Sequence, residues 1–352
     1  MVQLVSAPSN LPDLVRTAFA RARAAGDLTF FPTQVALLRI NGIPLQLRFA
    51  PSLAKKPKTA DASKSASHSG PTSVRPSFDP FENPPPGLLV LSQIGPAHRL
   101  VLNKFAICRD HAILATVDFR PQSHLLAGDD LAAAYACIEA YHDQGQELFV
   151  FYNSGAHSGA SQPHRHLQML PVACMREGLS EDGSGSDASV WGVAVDQLTR
   201  QTAASTRPAE LPFHVATTPI HRDEASPSAE LLHALYLRLY RQACVAAGLS
   251  AQDGMAEEQG QVPARLSYNL ALTQKTMALC PRTAEGSAVT SSDGTSVGTL
   301  SLNGTVLAGT ALVKNETEWS ALRQDPGQLT RILRQIGLPA GSVSSSKEGS
   351  AS

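Results

Sequence analysis

The stretch that most constrains this chain is Asn153-Ser-Gly-Ala-His-Ser-Gly-Ala-Ser-Gln-Pro-His-Arg-His-Leu-Gln-Met-Leu-Pro171. A loop of small residues runs directly into His164, His166 and Gln168, which alternate with other residues. Side chains alternate faces along a β-strand, so this spacing puts the three polar groups on one side. Arg165, Leu167 and Met169 then face the other way, and Pro171 closes the strand. Gly155, Ser158, Gly159 and Ser161 supply small side chains and accessible backbone N–H groups, a setting that can hold anionic oxygens. A phosphate cradle feeding an imidazole pair is the chemistry this arrangement suggests.

The rest of the chain narrows the classes. At 352 residues it can bury a large core in one or two domains. A net charge of −1 gives no general basic field, which argues against a nucleic-acid binder. Cys108, Cys137, Cys174, Cys244 and Cys280 form no CxxC pair and read as reduced, intracellular thiols. No run approaches the roughly 18 apolar residues of a membrane span, so no membrane partner is expected. Arg16, Arg21 and Arg23 lie among alanines as in a transit peptide. Asn10-Leu-Pro-Asp13 and Gly26 instead bracket a folded helix with Leu14, Ala18 and Ala22 on its apolar face. A cytoplasmic protein is expected, with a nuclear pool left open.

Along the chain, Gln34–Ala50 reads as two strands joined at Asn41-Gly42. Residues 58–77 are Ser-, Lys- and Pro-rich and read as a mobile loop. Strands are expected over Leu88–Ile94, Arg99–Cys108, Ala112–Val117 and Glu147–Tyr152, with a helix over Asp129–Gly145. The second strand carries Asn103-Lys104, and a buried Lys must reach water, a carboxylate or an anionic ligand. Residues 176–210 read as a linker, weakly helical over Trp191–Ala204. Further strands are expected over Leu211–Ala216, Tyr268–Cys280 and parts of Thr299–Lys314, with helices over Ala229–Ala247 and Leu329–Ile336. Residues 284–297 read as a loop and 341–352 as a disordered tail. The fold class is α+β, a mostly antiparallel sheet with packed helices and long low-complexity loops.

Neutral imidazole can take a phosphoryl or nucleotidyl group and pass it on, which is covalent catalysis. His166 is then the nucleophile, His164 its orienting or phosphate-bonding partner, and Gln168 a donor to the transferring group. Two other readings stay open for the residues alone. The pair can be structural, or it can be a metal fragment to which His157 and His111 contribute; no Cys or carboxylate stands at zinc-ligand spacing, and no metal is expected.

The pattern Gly-x-x-Ser-Gly-x-Ser-Gln-x-His-x-His-x-Gln resembles the diadenosine tetraphosphate phosphorylases (ATP adenylyltransferases) of the histidine-triad superfamily. Pro51-Ser-Leu-Ala-Lys-Lys-Pro57, Leu100-Val-Leu-Asn-Lys-Phe105, Ser267-Tyr-Asn269, Pro281-Arg282 and Ala308-Gly-Thr-Ala-Leu-Val-Lys314 carry the resemblance onward in order. It implies a histidine-triad-like sheet, with an N-terminal part over 1–175 and an adenylyltransferase part over 211–340. It also implies phosphorolysis of diadenosine tetraphosphate to ATP and ADP through an adenylylated histidine. Gln168 stands where hydrolases of the superfamily carry a third histidine, which favours phosphate over water as acceptor. The implied nucleotide contacts are Lys56, Asn103, Lys104, Asn153, Gly159, Ala160, Ser161, Gln162, Asn303, Gly304, Thr305, Thr310 and Lys314. Ala160 replaces a common Ser and Thr310 a Met-like residue, two departures from the pattern. The expected partners are the dinucleotide, phosphate, ATP and ADP. A monomer is expected, with no tightly bound cofactor beyond Mg²⁺ carried by the polyphosphate. A hexose-1-phosphate uridylyltransferase and a non-catalytic dinucleotide sensor are the competing readings.

Overall fold

The computed structural model describes residues 5–55, 79–179, 191–199, 210–221, 226–250 and 262–340. Lys56, the expected loop 58–77, much of the 176–210 linker and the 341–352 tail lie outside them. Helix α1, Leu11–Ala25, starts with a proline in its first turn and stops at Gly26, whose φ of 79° no side chain opposes. It buries Leu11, Val15, Ala18, Phe19 and Ala22, a face rotated from the expected one so that Leu14 is only half-buried. Strand β1, Thr29–Phe30, is followed by a hairpin of β2, Gln34–Ile40, and β3, Ile43–Phe49. Asn41 and Gly42 both take positive φ in its two-residue turn, which matches the twist of the strands.

Three strands then lay down one edge of the main sheet: β4, Leu89–Ile94; β5, His98–Leu102; and β7, Ala112–Thr116. The expected strand 99–108 ends early. Asn103 accepts the Phe105 N–H through its side chain, a local turn that competes with the ladder and leaves only the short β6, Phe105–Ala106. Helix α2, Gly128–His142, leads to β8, Leu148–Ser154, and then to β9, His166–Pro171, followed by the short α3, Val172–Met175.

The C-terminal part departs more often from expectation. After α4, Ala194–Thr199, the segment Leu211–Ala216 is not a strand. Pro212 has no N–H to donate, and Leu211 and Phe213 are drawn into the core; the strand β10 begins later, Ala216–Pro219. Helix α5, Ala229–Ala246, is capped by the Ser228 side chain, as the periodicity predicts. The expected single strand Tyr268–Cys280 is a hairpin of β11, Ser267–Leu272, and β12, Thr276–Arg282. Its turn is made by the Thr273 hydroxyl, which accepts from the N–H groups of Lys275 and Thr276. The expected loop 284–297 contains most of a second hairpin, β13, Gly286–Thr290, and β14, Ser296–Ser301. Asn303 caps a 3₁₀ turn over Gly304–Ala308 where strand was expected, and β15, Thr310–Val313, follows. Helix α6, Glu316–Gln324, was not anticipated, whereas α7, Gly327–Ile336, was.

One eight-stranded sheet, in the order β10-β12-β11-β8-β9-β7-β5-β4, unites both parts of the chain, and every pairing in it is antiparallel. Helices α1, α2 and α5 pack on one face, against Val150, Tyr152, Leu167, Met169, Leu270 and Leu279. On the other face Phe149, Phe151, Leu170 and Ala278 meet the β15-β3-β2 sheet and helices α6 and α7. His166 and Gln168 belong to that second face. No described helix is long and apolar enough to cross a membrane.

Candidate active site

The site forms where the central pairing gives way. Strands β8 and β9 stay in register up to Phe151 opposite Gln168. Beyond that pair the Gln122 amide takes over the ladder. Its Oε1 accepts the His166 N–H at 2.7 Å, and its Nε2 donates to the carbonyls of Asn153 at 2.8 Å and His166 at 3.1 Å. A buried side chain thus satisfies backbone groups that two strands would otherwise share, which keeps the strands apart while holding His166 rigidly.

The His166 ring is buried at 3% exposure. Its Nδ1–H donates to the His164 carbonyl at 2.8 Å, so the lone pair lies on Nε2. Burial pushes its pKa down to about 4, against the pull of that same carbonyl, so the ring is neutral at pH 7. Phe81 lies over it, with ring centroids 4.9 Å apart. His164 is tied at both nitrogens, to the Asp79 carboxylate at 2.6 Å and the Thr116 hydroxyl at 2.9 Å. Thr116 donates its own proton to the Asp118 carbonyl, so His164 Nε2–H is the donor in that pair. Arg165, between the two histidines, turns to the opposite face and pairs with Asp130 at 2.8 Å.

Gln168 is half-buried, and its Oε1 meets His111 Nε2 at 3.0 Å. His111 Nδ1 in turn faces the Asn103 Nδ2 at 3.2 Å. Burial lowers the His111 pKa to about 4 as well. An imidazole held neutral in the fold but free to protonate in the unfolded chain favours unfolding in acid. Stability is therefore complete above an unfolded pKa of about 6.5 and declines as pH falls towards about 4. We expect Tm to be level between about pH 8 and 7 and to fall between about pH 6.5 and 4.5. A Tm independent of pH across that window would contradict both histidine assignments.

The phosphate-loop candidates are stitched to the C-terminal part. Gly159 has φ 78°, and a Cβ there would lie 2.8 Å from the Asn303 Cβ. Gly304 donates its N–H to Asn153 Oδ1 at 2.8 Å, and a Cβ on it would strike Phe151 and Asn153. The buried Arg282 donates to Asn269 Oδ1, which turns the Asn269 Nδ2 to Asn153 Oδ1 and to the Ser158 carbonyl, each at 2.9 Å. With its oxygen taken twice, Asn153 has its Nδ2 left as a donor. Among the expected residues, contacts thus bring together His164, His166, Gln168, Asn103, Asn153, Gly159, Asn303 and Gly304. Thr305 joins through Asn303. Ala160 and Ser161 lie exposed on the loop, with Gln162 half-buried beside them. Lys104 is exposed, which meets the requirement that its ammonium reach water.

Two further expected residues lie at β15: Thr310 is buried, with its carbonyl accepting from the Thr305 hydroxyl at 3.1 Å, and Lys314 is exposed with its charge acting on Glu318. Asp79 and Gln122 are groups that sequence reasoning did not place at the site, and His111 was raised there only as a metal ligand. Each acts through a long-range hydrogen bond that leaves no local pattern. Arg282 and Asn269 carried a signal, since both lie in segments that had marked the family resemblance. Among the described residues no group of three His, Cys, Asp or Glu side chains could hold a metal.

Residues 1–181 match the family model for the Ap4A phosphorylase N-terminal domain, and residues 209–339 that for the ATP adenylyltransferase C-terminal domain. The fold and these matches define a nucleotidyltransferase. The chain belongs to the Ap4A phosphorylase family. Two Saccharomyces cerevisiae proteins are similar over nearly their whole length. Diadenosine 5′,5‴-P1,P4-tetraphosphate phosphorylase 2 is 27% identical, with 94% of this chain and 95% of the relative covered. Protein APA1 is 25% identical, covering 95% and 96%. The fold is similar to that of yeast Ap4A phosphorylase Apa2 solved in complex with Ap4A, with a TM-score of 0.66, 24% identity, and coverage of 94% and 98%.

Proposed function

We propose that this chain catalyses phosphorolysis of diadenosine tetraphosphate to ATP and ADP, and the reverse adenylyl transfer, through a covalent adenylyl-His166. The carrying observation is the His166 ring, buried and neutral, with Nδ1–H spent on a carbonyl and Nε2 left with its lone pair. In the first step Nε2 attacks the α-phosphorus of one adenosine, forming a P–N bond while the α–β bridge breaks and ATP leaves. In the second, a phosphate oxygen attacks the same phosphorus, the P–N bond breaks, Nε2 regains its lone pair and ADP departs. Negative charge builds on the α-phosphoryl oxygens in both steps. The Gln168 and Asn153 amides and the loop N–H groups are the donors suited to meet it. The Asp79 carboxylate pulls towards the cationic ring that adenylylated His166 becomes, while burial and the His164 charge oppose it. Any Mg²⁺ enters with the substrate phosphates, whose oxygens supply its ligands. The name of one yeast relative, diadenosine 5′,5‴-P1,P4-tetraphosphate phosphorylase 2, and the Ap4A complex of Apa2 support the choice of substrate.

The test is to incubate the protein with diadenosine tetraphosphate, with and without phosphate, and to resolve the nucleotides. ATP plus ADP, formed only when phosphate is present, is expected. AMP plus ATP regardless of phosphate would mean a hydrolase. Absence of turnover alongside tight binding would mean a sensor.

A further inference from the structure

We propose that His111 is a positioning residue that fixes the orientation of the Gln168 amide, so that Gln168 presents N–H donors rather than its oxygen to the transferring group. The Phe105 N–H can only donate, and it donates to Asn103 Oδ1 at 2.9 Å. The Asn103 nitrogen therefore faces His111, 3.2 Å from Nδ1 and 3.4 Å from Nε2, and Nδ1, the nearer and the one Gln168 does not contact, is the acceptor. An Nδ1 that accepts, on a ring that burial keeps neutral, puts the single ring proton on Nε2. Nε2–H then donates to Gln168 Oε1 at 3.0 Å. With its oxygen held, both N–H bonds of Gln168 are left for other acceptors. Gln168 stands on the same face of β9 as His166, so those acceptors are the phosphoryl oxygens of a group bound to His166 Nε2.

The consequence is electrostatic. A reversed amide would turn oxygen lone pairs towards phosphoryl oxygens, replacing attraction with repulsion at the point where charge develops. A strand position cannot prevent this by itself, because the terminal torsion of Gln is soft and roughly two-fold. The preference must come from a partner, and His111 is placed to provide it. Its two nitrogens are both occupied, so it is neither a second nucleophile nor a metal ligand in this arrangement.

The kinetic part of the proposal rests on the proposed function, and the spectroscopic part does not. In the full chain labelled with ¹⁵N-histidine, long-range ¹H–¹⁵N NMR at pH 7 should show His111 as the Nε2–H tautomer, with its signals identified by their loss in His111→Phe. An Nδ1–H tautomer or a cationic ring would overturn the proposal whatever the enzyme does. In phosphorolysis assays, His111→Phe should lower kcat by about 10–100-fold while KM changes by less than about 3-fold. His111→Gln, whose amide N–H can reach the same oxygen, should recover most of that loss. In a Gln168→Leu background, His111→Phe should have little further effect, because the group it positions is gone. Undiminished kcat in His111→Phe, or equal additional loss in the Gln168→Leu background, would overturn the proposal. A wild-type protein with no turnover would sink the proposed function and leave the NMR result to judge His111.

Discussion

Replacing His166 with alanine abolishes turnover of diadenosine tetraphosphate, by on the order of 10⁵-fold or more, while nucleotide binding stays measurable. The size of the effect follows from the absence of a substitute. His164 lies nearby but has Nδ1 on Asp79 and Nε2 on Thr116. His111 has one nitrogen on Asn103 and the other on Gln168. Of these three histidines, only His166 combines a hydrogen bond that fixes its tautomer with a nitrogen left to react. Binding should survive because its suited donors, the Asn153 amide and the loop held against Asn303, do not depend on the ring. Single-turnover assays with labelled substrate, quenched in alkaline denaturant to preserve the acid-labile P–N bond, should show an adenylyl-protein in the wild type and none in the variant. Calorimetry should show binding in both. Turnover by the variant at near the wild-type rate would end the covalent mechanism.

The second large effect is on folding. Asp130→Ala is expected to cost about 3–5 kcal/mol, a large share of the roughly 5–15 kcal/mol that holds a domain together. Asp130 is fully buried and bonds His98 at 2.8 Å, Arg165 at 2.8 Å and the Ala127 N–H at 2.8 Å. Desolvation would raise its pKa, but the His98 hydrogen bond and the Arg165 charge outweigh that and hold it at about 2. A carboxylate with a depressed pKa gives its full stabilisation above about pH 4, and this is lost as pH falls through about 2. At neutral pH, deleting it leaves a guanidinium in an apolar core without its counter-charge. That guanidinium belongs to the residue between His164 and His166, so the damage reaches the catalytic strand directly. Urea denaturation measures the loss. Adding Arg165→Met to Asp130→Ala should recover part of it, since removing both charges is far cheaper than stranding one. A cost for Asp130→Ala within about 1 kcal/mol would show that the core tolerates Arg165 without the Asp130 carboxylate.

Much of this was legible in the chain. The alternation of His164, His166 and Gln168 with Arg165, Leu167 and Met169 gave their two faces correctly, because a period of two is a property of any strand. Asn41-Gly42 fixed a hairpin, since a tight turn there needs two positive φ values and these residues tolerate them. Asp293-Gly294 carried a comparable signal, and the hairpin of β13 and β14 was still missed. Its strands are rich in Ser, Gly and Thr, and they are held by Val289 and Leu300 buried in the second core rather than by intrinsic preference. The Tyr268–Cys280 hairpin was hidden in the same way, because its turn is made by a threonine side chain and not by Gly or Pro.

What the sequence determined by itself is the local chemistry: which residue is the nucleophile candidate, which loop precedes it, and which family pattern they complete. These are encoded within a few positions, where chirality, alternation and side-chain size leave few options. The tertiary structure alone decided the state of those groups. His166 is tied by Gln122, 44 positions away, and His164 by Asp79, 85 positions away. Gln168 is oriented by His111, 57 positions away. A tautomer or an amide orientation depends on which donor or acceptor folding brings opposite it, and no spacing in the chain specifies that partner.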